Sequence, residues 1–225
     1  MKKTFAIIAA ALAIWACEFP EPTFTAQNVS DYCTYKEGKL TSDYGSVLNV
    51  TGDQTDGKWQ AEGNRMYTVY DVLNAQLDIT LKSYLLGTIK ANDGKVDSEN
   101  PDAPTGDPVM IADCNISGTY LNVIFTYYFK EGTDCPHDTK LYYRDDGDTL
   151  TIYMVHEGNG ETPVDFEEST LQTNKVLYCF EILDMVPSGE YRTIVFDADM
   201  LGKTEDGKYV SKHVSSYLYG QKVQF

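Results

Sequence analysis

The sequence predicts an all-β protein in which a small β-barrel is followed by an antiparallel β-sandwich. Apolar and polar residues alternate with a period of two in one run after another, and the apolar positions are rich in β-branched and aromatic residues, as is typical of strands. Asp-Gly pairs, which favour tight hairpin turns, separate many of these runs. No long amphipathic helix is evident, and the segment FDADML at residues 196–201 is expected to form one helical turn at most.

The strands can be placed in order along the chain. The alternating pattern predicts nine of them, at residues 65–73, 77–90, 109–114, 120–129, 140–144, 149–156, 175–183, 191–196 and 208–219. Asp-Gly pairs occur at residues 56–57, 93–94, 146–147 and 206–207. Because glycine accepts the positive φ angle of a tight turn, these pairs predict hairpins, most clearly in the sequence DDGD at residues 145–148.

The first 16 residues predict a lipoprotein signal peptide. Lys2 and Lys3 precede an apolar run of ten at residues 5–14, which is too short to span a hydrocarbon core about 30 Å thick. The segment IWAC at residues 14–17 resembles the lipobox of bacterial lipoproteins, which implies cleavage before Cys17 and lipidation of that cysteine. The alternative is an ordinary secretory signal with an incidental cysteine. Lipidation would anchor the protein in the cell envelope as an outer-membrane lipoprotein, facing the periplasm or the cell surface.

Differences in local composition divide the rest of the chain into a tether, two β-rich units and a linker. The segment after Cys17 contains two prolines and shows no periodicity, which predicts a tether. Residues 91–107 are polar, with two Pro and two Gly, and separate a shorter β-rich part from a longer one. About five strands in the first part suit a barrel, and about seven in the second suit a sandwich. The predicted units are a tether at 17–28, a barrel at 29–92, a linker at 93–106 and a sandwich at 107–225.

The charge of the chain narrows the choice of partner. Asp and Glu number 34 against 18 Lys and Arg, which gives a formal charge of −16, or −18 once Lys2 and Lys3 are removed. A nucleic-acid partner is not expected, because neutralising phosphates requires clustered basic residues. No glycine-rich phosphate loop precedes a helix and no GxSxG elbow is present, so neither a nucleotide cofactor nor an α/β-hydrolase is predicted.

Cysteines and acidic turns provide no metal site. Four cysteines follow Cys17, an even number that permits two disulfides in an exported protein, while free buried thiols are the equal alternative; the four are Cys33, Cys114, Cys135 and Cys179. None forms a CxxC pair, so no zinc site is predicted. The Asp-rich turns lack EF-hand spacing and are better explained as solvated turns than as Ca²⁺ sites.

Three histidines were considered as catalytic or ligating residues. His137 follows Cys135-Pro136 and precedes Asp138, a context that suggests either a Cys/His nucleophile or a metal ligand. His156 at the end of a strand and His213 within one are both expected to face solvent. No catalytic residue is predicted.

Aromatic side chains are the remaining candidates for a binding surface. Tyr127 and Tyr142 belong to runs that place rings on both faces of strands expected to be neighbours. Trp59 precedes a strand in a loop-like stretch and is as consistent with an exposed ring as with a core position. Exposed rings can stack on sugars or fill a partner's pocket, whereas buried rings only build the core. Trp59, Tyr127 and Tyr142 are therefore the candidate ligand-binding residues.

A set of spaced residues in the second half resembles the NigD-like family of Bacteroidetes lipoproteins. The matching positions are Asp107, Pro108, Val109, Ile111, Asp113, Ile116, Tyr120 to Val123, Phe125, His137, Leu141, Phe196, Asp197 and Leu201. The resemblance implies an OB-fold-like N-terminal barrel and a C-terminal β-sandwich. Asn115 stands where that family usually carries Trp. The family position of His137, at the start of a strand, implies a structural hydrogen bond rather than catalysis. The family has no established reaction, so the resemblance implies architecture and location and no catalytic residue.

The combined observations predict a lipid-anchored envelope protein that acts by binding. The leading hypothesis is a non-enzymatic interaction module, with an envelope protein as partner. A surface glycan-binding lipoprotein is the alternative, which exposed and clustered aromatic rings would favour. An envelope hydrolase is the third hypothesis and would require a concave site with two suitably spaced carboxylates or a catalytically aligned His137.

Overall fold

The computed structural model describes residues 25–96, 103–132, 137–185 and 193–218. It confirms the all-β prediction. The only helical pieces in these ranges are two 3₁₀ turns, at Lys58–Gln60 and Glu168–Thr170. None of the described helical segments has the length and apolar character to cross a membrane. The signal peptide, Cys17 and most of the tether lie outside the described residues.

The described residues form thirteen strands. They are β1 (Ala26–Lys36), β2 (Lys39–Ser42), β3 (Val47–Asp53), β4 (Arg65–Val72), β5 (Asp78–Lys90), β6 (Gly94–Lys95), β7 (Met110–Ser117), β8 (Tyr120–Lys130), β9 (Asp138–Asp145), β10 (Thr149–Glu157), β11 (Leu171–Glu181), β12 (Thr193–Lys203) and β13 (Tyr209–Leu218). All nine strands predicted from the alternating pattern are present, with ends displaced by up to seven residues, the largest difference being at the end of β12. Residues 196–201 belong to β12, because Phe196 and Ala198 alternate with Asp197 across the sheet.

Strands β1 to β5 form a closed barrel with the connectivity of an OB-fold. Their order around the barrel is β1-β2-β3-β5-β4, and β4 returns to β1. All neighbours are antiparallel except β3 and β5, which run parallel. Side chains including Cys33, Leu40, Met66, Ile79 and Leu81 fill the interior. Closure leaves this sheet without a free edge between β3 and β5, and it confirms the predicted barrel.

The second half is a sandwich, but its sheets are mixed rather than purely antiparallel. One layer consists of β11, β8 and β7, and the other has the order β13-β12-β10-β9-β6. Within the second layer β10 pairs with β12 in parallel, as β6 does with β9. The core between the layers includes Phe125, Leu141, Ile152, Phe180 and Phe196. Parallel pairing arises because β10 and β12 are joined through β11 in the opposite layer.

The barrel and the sandwich share one continuous sheet. β5 pairs in parallel with β11, which makes an eight-stranded sheet across the predicted boundary at residues 93–106. That segment is itself partly ordered by pairing, since Gly94 and Lys95 form β6. A third apolar cluster joins the barrel wall to the outer face of β8 and β11; its members include Tyr32, Tyr67, Leu85, Ile124, Leu177 and Cys179.

Two of the four predicted Asp-Gly hairpins are formed. Gly147 joins β9 to β10 and Gly207 joins β12 to β13, both with positive φ angles, of 82° and 83°. The hairpin prediction is wrong at Gly57, which instead precedes the 3₁₀ turn containing Trp59. It is also wrong at Gly94, because β5 and β6 lie in different sheets. An Asp-Gly pair specifies a local turn, and the strands that follow choose their partners by burial.

The described cysteines are free thiols. Cys33, Cys114 and Cys179 form no disulfide, so the alternative of free thiols holds for these three. Cys33 and Cys179 are buried, and burial raises the pKa of the Cys33 thiol to about 12 and of the Cys179 thiol to about 11. These thiols are therefore protonated and unreactive. Cys135 lies outside the described residues.

Candidate functional site

A groove of about 320 Å³ opens on the barrel where β2, β3 and the first 3₁₀ turn meet. We call it the barrel groove. Its apolar floor is formed by Leu40, Leu48 and Trp59, and Lys39, Asn49 and Gln60 are exposed polar residues along it. The lining contains no carboxylate side chain, although the protein as a whole is strongly acidic. This face of an OB-fold barrel, formed by strands 2 and 3, is the one that commonly carries ligands.

Trp59 lies beneath this groove rather than on the surface. Its side chain is only 2% exposed, and its indole N–H donates a hydrogen bond of 2.8 Å to Asp53 Oδ2. The ring of Tyr35 meets it edge-on, with centroids 5.3 Å apart. An exposed stacking role for Trp59 is therefore wrong. Trp59 belongs to the barrel core because it is the buried residue of the 3₁₀ turn Lys58–Gln60.

Exposed apolar side chains lie beside the barrel groove. Tyr44, in the turn between β2 and β3, is 73% exposed, and Val47 at the start of β3 is 43% exposed. The turn is anchored to the protein interior, because the carboxylate of Asp43 accepts hydrogen bonds from the buried guanidinium of Arg65. We define the barrel groove together with Tyr44 and Val47 as the β2–β3 surface. The sequence pattern did not single out Tyr44 or Val47, because a lone apolar residue next to a turn carries no distinguishing signal.

Tyr127 and Tyr142 do not form one row of rings. Tyr127 lies on β8 and Tyr142 on β9, which belong to opposite layers of the sandwich. Both are half-buried. The Tyr127 ring stacks on His137 at 4.6 Å, and its hydroxyl accepts a hydrogen bond from Asn174. The two strands follow one another in the sequence and were therefore expected to pair, but β8 and β9 belong to different sheets.

Two histidines meet between the layers of the sandwich. Nδ1 of His137 lies 3.2 Å from Nε2 of His156, whose Nδ1 is 3.0 Å from the Thr139 hydroxyl. The predicted structural hydrogen bond of His137 is therefore present. The prediction that His156 faces solvent is wrong, because the residue is only 4% exposed. The described residues contain no group of three or more side chains suited to hold a metal ion.

Burial makes the pH dependence of His156 predictable. Desolvation, followed by the charge of His137, lowers its pKa from 6.5 to about 4. The unfolded chain therefore binds a proton more readily than the folded protein. We expect His156 to contribute its full stability above pH 6.5, and about 3 kcal/mol of the free energy of unfolding to be lost as the pH falls towards about 4.

Urea denaturation of the wild type and of His156→Gln across this range tests the expectation. The difference between the two unfolding free energies should decrease with falling pH, because glutamine has no proton to gain. If the unfolding free energies of the wild type and of His156→Gln changed in parallel with pH, the expected role of His156 would be contradicted.

A second polar cluster lies on β12 and β13. His213 sits between two carboxylates, with Nε2 2.5 Å from Asp197 Oδ1 and Nδ1 3.1 Å from Asp199 Oδ1. The hydroxyl of Ser215 donates to Asp197 and not to His213. The imidazole is therefore occupied by two acids, and the serine lacks the contact with a base that nucleophilic catalysis requires. This geometry describes a polar contact network on the sheet, without a serine nucleophile and its base.

Comparison with known proteins identifies the fold. A protein of unknown function from Bacteroides vulgatus is 18% identical with a TM-score of 0.54, and the alignment covers 89% of this chain and 94% of that one. A NigD-like immunity protein from Bacteroides caccae is 18% identical with a TM-score of 0.52, covering 85% and 98%. A protein from Bacteroides fragilis described as a candidate lipoprotein is 15% identical with a TM-score of 0.51, covering 84% and 97%.

These similarities extend over nearly the whole length of each protein. They confirm, at the level of the fold, the resemblance to the NigD-like family that was seen in the sequence. No protein-family model matches the chain, and no curated protein matches it.

Proposed function

We propose that this protein, which shares the fold of the NigD-like immunity protein from Bacteroides caccae, is a lipid-anchored envelope protein that acts by binding through its β2–β3 surface. The proposal makes it a non-enzymatic interaction module with an envelope protein as its partner. The descriptions of the similar structures name no reaction, which agrees with a role in binding.

One observation carries this proposal: Val47, which lines the barrel groove at the start of β3, and Tyr44, in the turn between β2 and β3, both leave apolar surface exposed on this hairpin. They are two of the nine large apolar side chains exposed on the described residues. Aromatic side chains beside a concave apolar site are typical anchors of protein interfaces. The floor of the groove is the core of the barrel itself, so the surface is rigid before a partner arrives, which reduces the entropy cost of binding.

The lipid anchor would hold this surface close to the membrane. Eight residues lie between Cys17 and Ala26, where β1 begins, so the tether can reach about 30 Å when fully extended. Anchoring at Cys17 in the outer membrane is part of the proposal. Cys17→Ser should release the protein from the membrane fraction into the soluble fraction, whereas an unchanged membrane fraction would refute the anchor.

A glycan is the second candidate ligand. The groove volume suits a small unit such as a sugar ring, and Lys39, Asn49 and Gln60 provide hydrogen-bond donors. The burial of Trp59 and the dispersed positions of Tyr127 and Tyr142 deprive a sugar of a stacking platform. A protein partner, which can insert an apolar side chain into the groove, agrees better with this lining.

Photo-crosslinking in intact cells tests the proposed surface. A photoreactive amino acid at Val47 in the full-length lipoprotein should give one discrete protein adduct, while the same amino acid at Tyr217, which is 67% exposed on β13, should not. Adding Tyr44→Ser should reduce the yield about tenfold, because an interface anchor contributes about 1.4 kcal/mol or more.

Tyr217→Ser is the matched control, since it also removes an exposed tyrosine but lies on the sandwich, and it should leave the Val47 adduct unchanged. A carbohydrate adduct at Val47, together with thermal stabilisation by a polysaccharide fragment, would favour the glycan ligand. Equal adducts at Val47 and Tyr217 would refute the β2–β3 surface as the binding site.

A further inference from the structure

The paired histidines contain one buried nitrogen that has no hydrogen-bond partner. Nε2 of His137 makes no hydrogen bond within the described residues. The Glu161 carboxylate faces it, with Oε2 3.6 Å away, and both side chains are about nine-tenths buried. A separation of 3.6 Å is too long for a hydrogen bond, although it is within the distance at which a charged imidazole and a carboxylate form an ion pair. The other three ring nitrogens of the pair all have partners at 3.2 Å or less.

The distances within the pair allow two arrangements of the ring protons. In the first, His156 donates to Thr139 through Nδ1 and accepts the Nδ1 proton of His137 at its Nε2; in the second, every donor is reversed and Nε2 of His137 already carries a proton. We assign the first arrangement, and a neutral His137 found protonated at Nε2 by NMR would overturn that assignment. Nε2 of a neutral His137 then presents a lone pair to the carboxylate of Glu161, so both groups are acceptors. One added proton converts that lone pair into a donor and turns the contact into a charge-assisted hydrogen bond.

We propose that His137, His156 and Glu161 form a proton-operated latch, in which one proton taken from solvent at His137 Nε2 closes the contact with Glu161 and holds the turn that follows β10 against the sandwich. His156 supplies the acceptor for the other nitrogen of His137. Burial keeps the pKa of His156 low, at about 4, so it remains neutral while the latch closes. This inference is independent of the β2–β3 surface.

The charged groups around the pair are already engaged elsewhere. Asp138 pairs with Lys90 and Glu157 with Lys140. The Asp107 carboxylate accepts hydrogen bonds from the backbone of the turn after β10. The backbone of Lys130 on β8 donates to Glu161 Oε2, which fixes that carboxylate in front of His137. Among the residues that the structure describes, the titratable groups around the pair on neighbouring elements are Lys90, Asp107, Tyr127, Asp138, Lys140, Glu157 and Glu161.

The turn after β10 is mechanically coupled to the His137 ring. Gly158 packs so closely that an added Cβ would lie 2.6 Å from His137 Nδ1. The amides of Gly158 and Gly160 point at the Asp107 carboxylate. Further along the same loop, Val164 and Phe166 are 42% and 40% exposed. Movement of the ring or of Glu161 therefore shifts the base of a loop that presents two apolar side chains to solvent.

NMR of the mature chain carrying Cys17→Ser, with labelled histidine and amide groups, tests the latch. We expect the added proton to reside on Nε2 of His137 and not on His156. The exchange of the Gly158 and Gly160 amides, corrected for intrinsic rates, should slow about threefold or more between pH 7.5 and 5.5. Glu161→Gln should abolish this slowing, because the neutral amide cannot form the charge-assisted hydrogen bond.

Glu157→Gln is the matched control, because it removes the same charge at the end of β10 from a residue that pairs with Lys140. It should leave both the His137 titration and the amide exchange unchanged. The latch is refuted if His156 is protonated first, if amide protection does not change with pH, or if Glu157→Gln and Glu161→Gln behave alike. The wild-type titration gives a decisive result even if a variant folds poorly.

Discussion

Replacing Arg65 with methionine is expected to lower the free energy of unfolding by about 3–5 kcal/mol, the cost of leaving a buried charge without its partner. Arg65 is 1% exposed, and its guanidinium makes two hydrogen bonds to the carboxylate of Asp43. It also donates to Asn122 on β8, at 2.8 and 3.2 Å, and lies 4.0 Å above the Tyr120 ring. Methionine would fill part of the space but would leave Asp43 buried and charged.

Urea denaturation followed by circular dichroism measures this loss. The double variant Arg65→Met with Asp43→Leu removes both charges and should recover about half of the lost stability or more, since an apolar pair avoids the desolvation cost. Asp71→Asn is a suitable control, because it breaks a partly exposed ion pair with Lys82 and should cost much less stability than Arg65→Met. A loss below about 1 kcal/mol for Arg65→Met would contradict the role assigned to the network.

The same variant bears on how the two halves are joined. Arg65 belongs to the barrel and Asn122 to the sandwich, 57 residues apart in the chain. The side chain reaches across β5 at Gly87, where an added Cβ would lie 2.9 Å from Cys179 Sγ. If the network holds the barrel and the sandwich together, Arg65→Met should also speed amide exchange along β5 and β11, which form the shared sheet.

Gly106→Ala is expected to destabilise the protein by about 2–4 kcal/mol through overpacking and a lost backbone hydrogen bond. An added Cβ would lie 2.6 Å from the carbonyl oxygen of His156 and 2.8 Å from its amide nitrogen. These are backbone atoms of β10 and cannot rotate away. The residue sits where β10 and β12 diverge, and Asp107 N donates to His156 O while Val109 N donates to Asp199 O, so this segment bridges the gap.

Gly202→Ala provides the matched comparison. Its added Cβ would meet Lys212 Cε at 2.9 Å, but that atom is near the end of a flexible, exposed side chain and can move. We expect a cost within about 0.5 kcal/mol, measured by urea denaturation alongside Gly106→Ala. If the two variants lost similar amounts of unfolding free energy, the close contact between Gly106 and the backbone of β10 would not be needed for stability.

The strands of the sandwich could be predicted well because their signal is local. β8 and β10 are runs of nine or more residues rich in β-branched and aromatic side chains, a composition that favours strands whatever their partners are. β1, β2 and β3 were missed because their patterns are short or interrupted. Asn28, with a φ angle of 53°, marks an irregularity near the start of β1, which explains why Ala26 to Asn28 resembled a tether.

The candidate site was harder to predict, because its members meet only through tertiary contacts. Trp59 stood in a sequence as compatible with exposure as with burial, and the 3₁₀ turn that buries it has no strong local signal. His156 was expected in solvent because it ends a strand beside Glu157, yet its ring packs against those of Phe125 and Tyr127 on β8 and of His137. Tyr44 and Val47 gained their significance only from the groove beside them.

By itself, the sequence determined the all-β class, the positions of the main strands, two hairpins and an acidic surface, because each depends on neighbouring residues and on composition. The tertiary structure alone decided that the barrel closes through β3 and β5, that one sheet runs through both halves, and that His137 meets His156 and Glu161. These outcomes depend on which distant strands pair. That choice is made by the total burial and hydrogen bonding of the whole chain, and the local alternation of each strand is compatible with several partners.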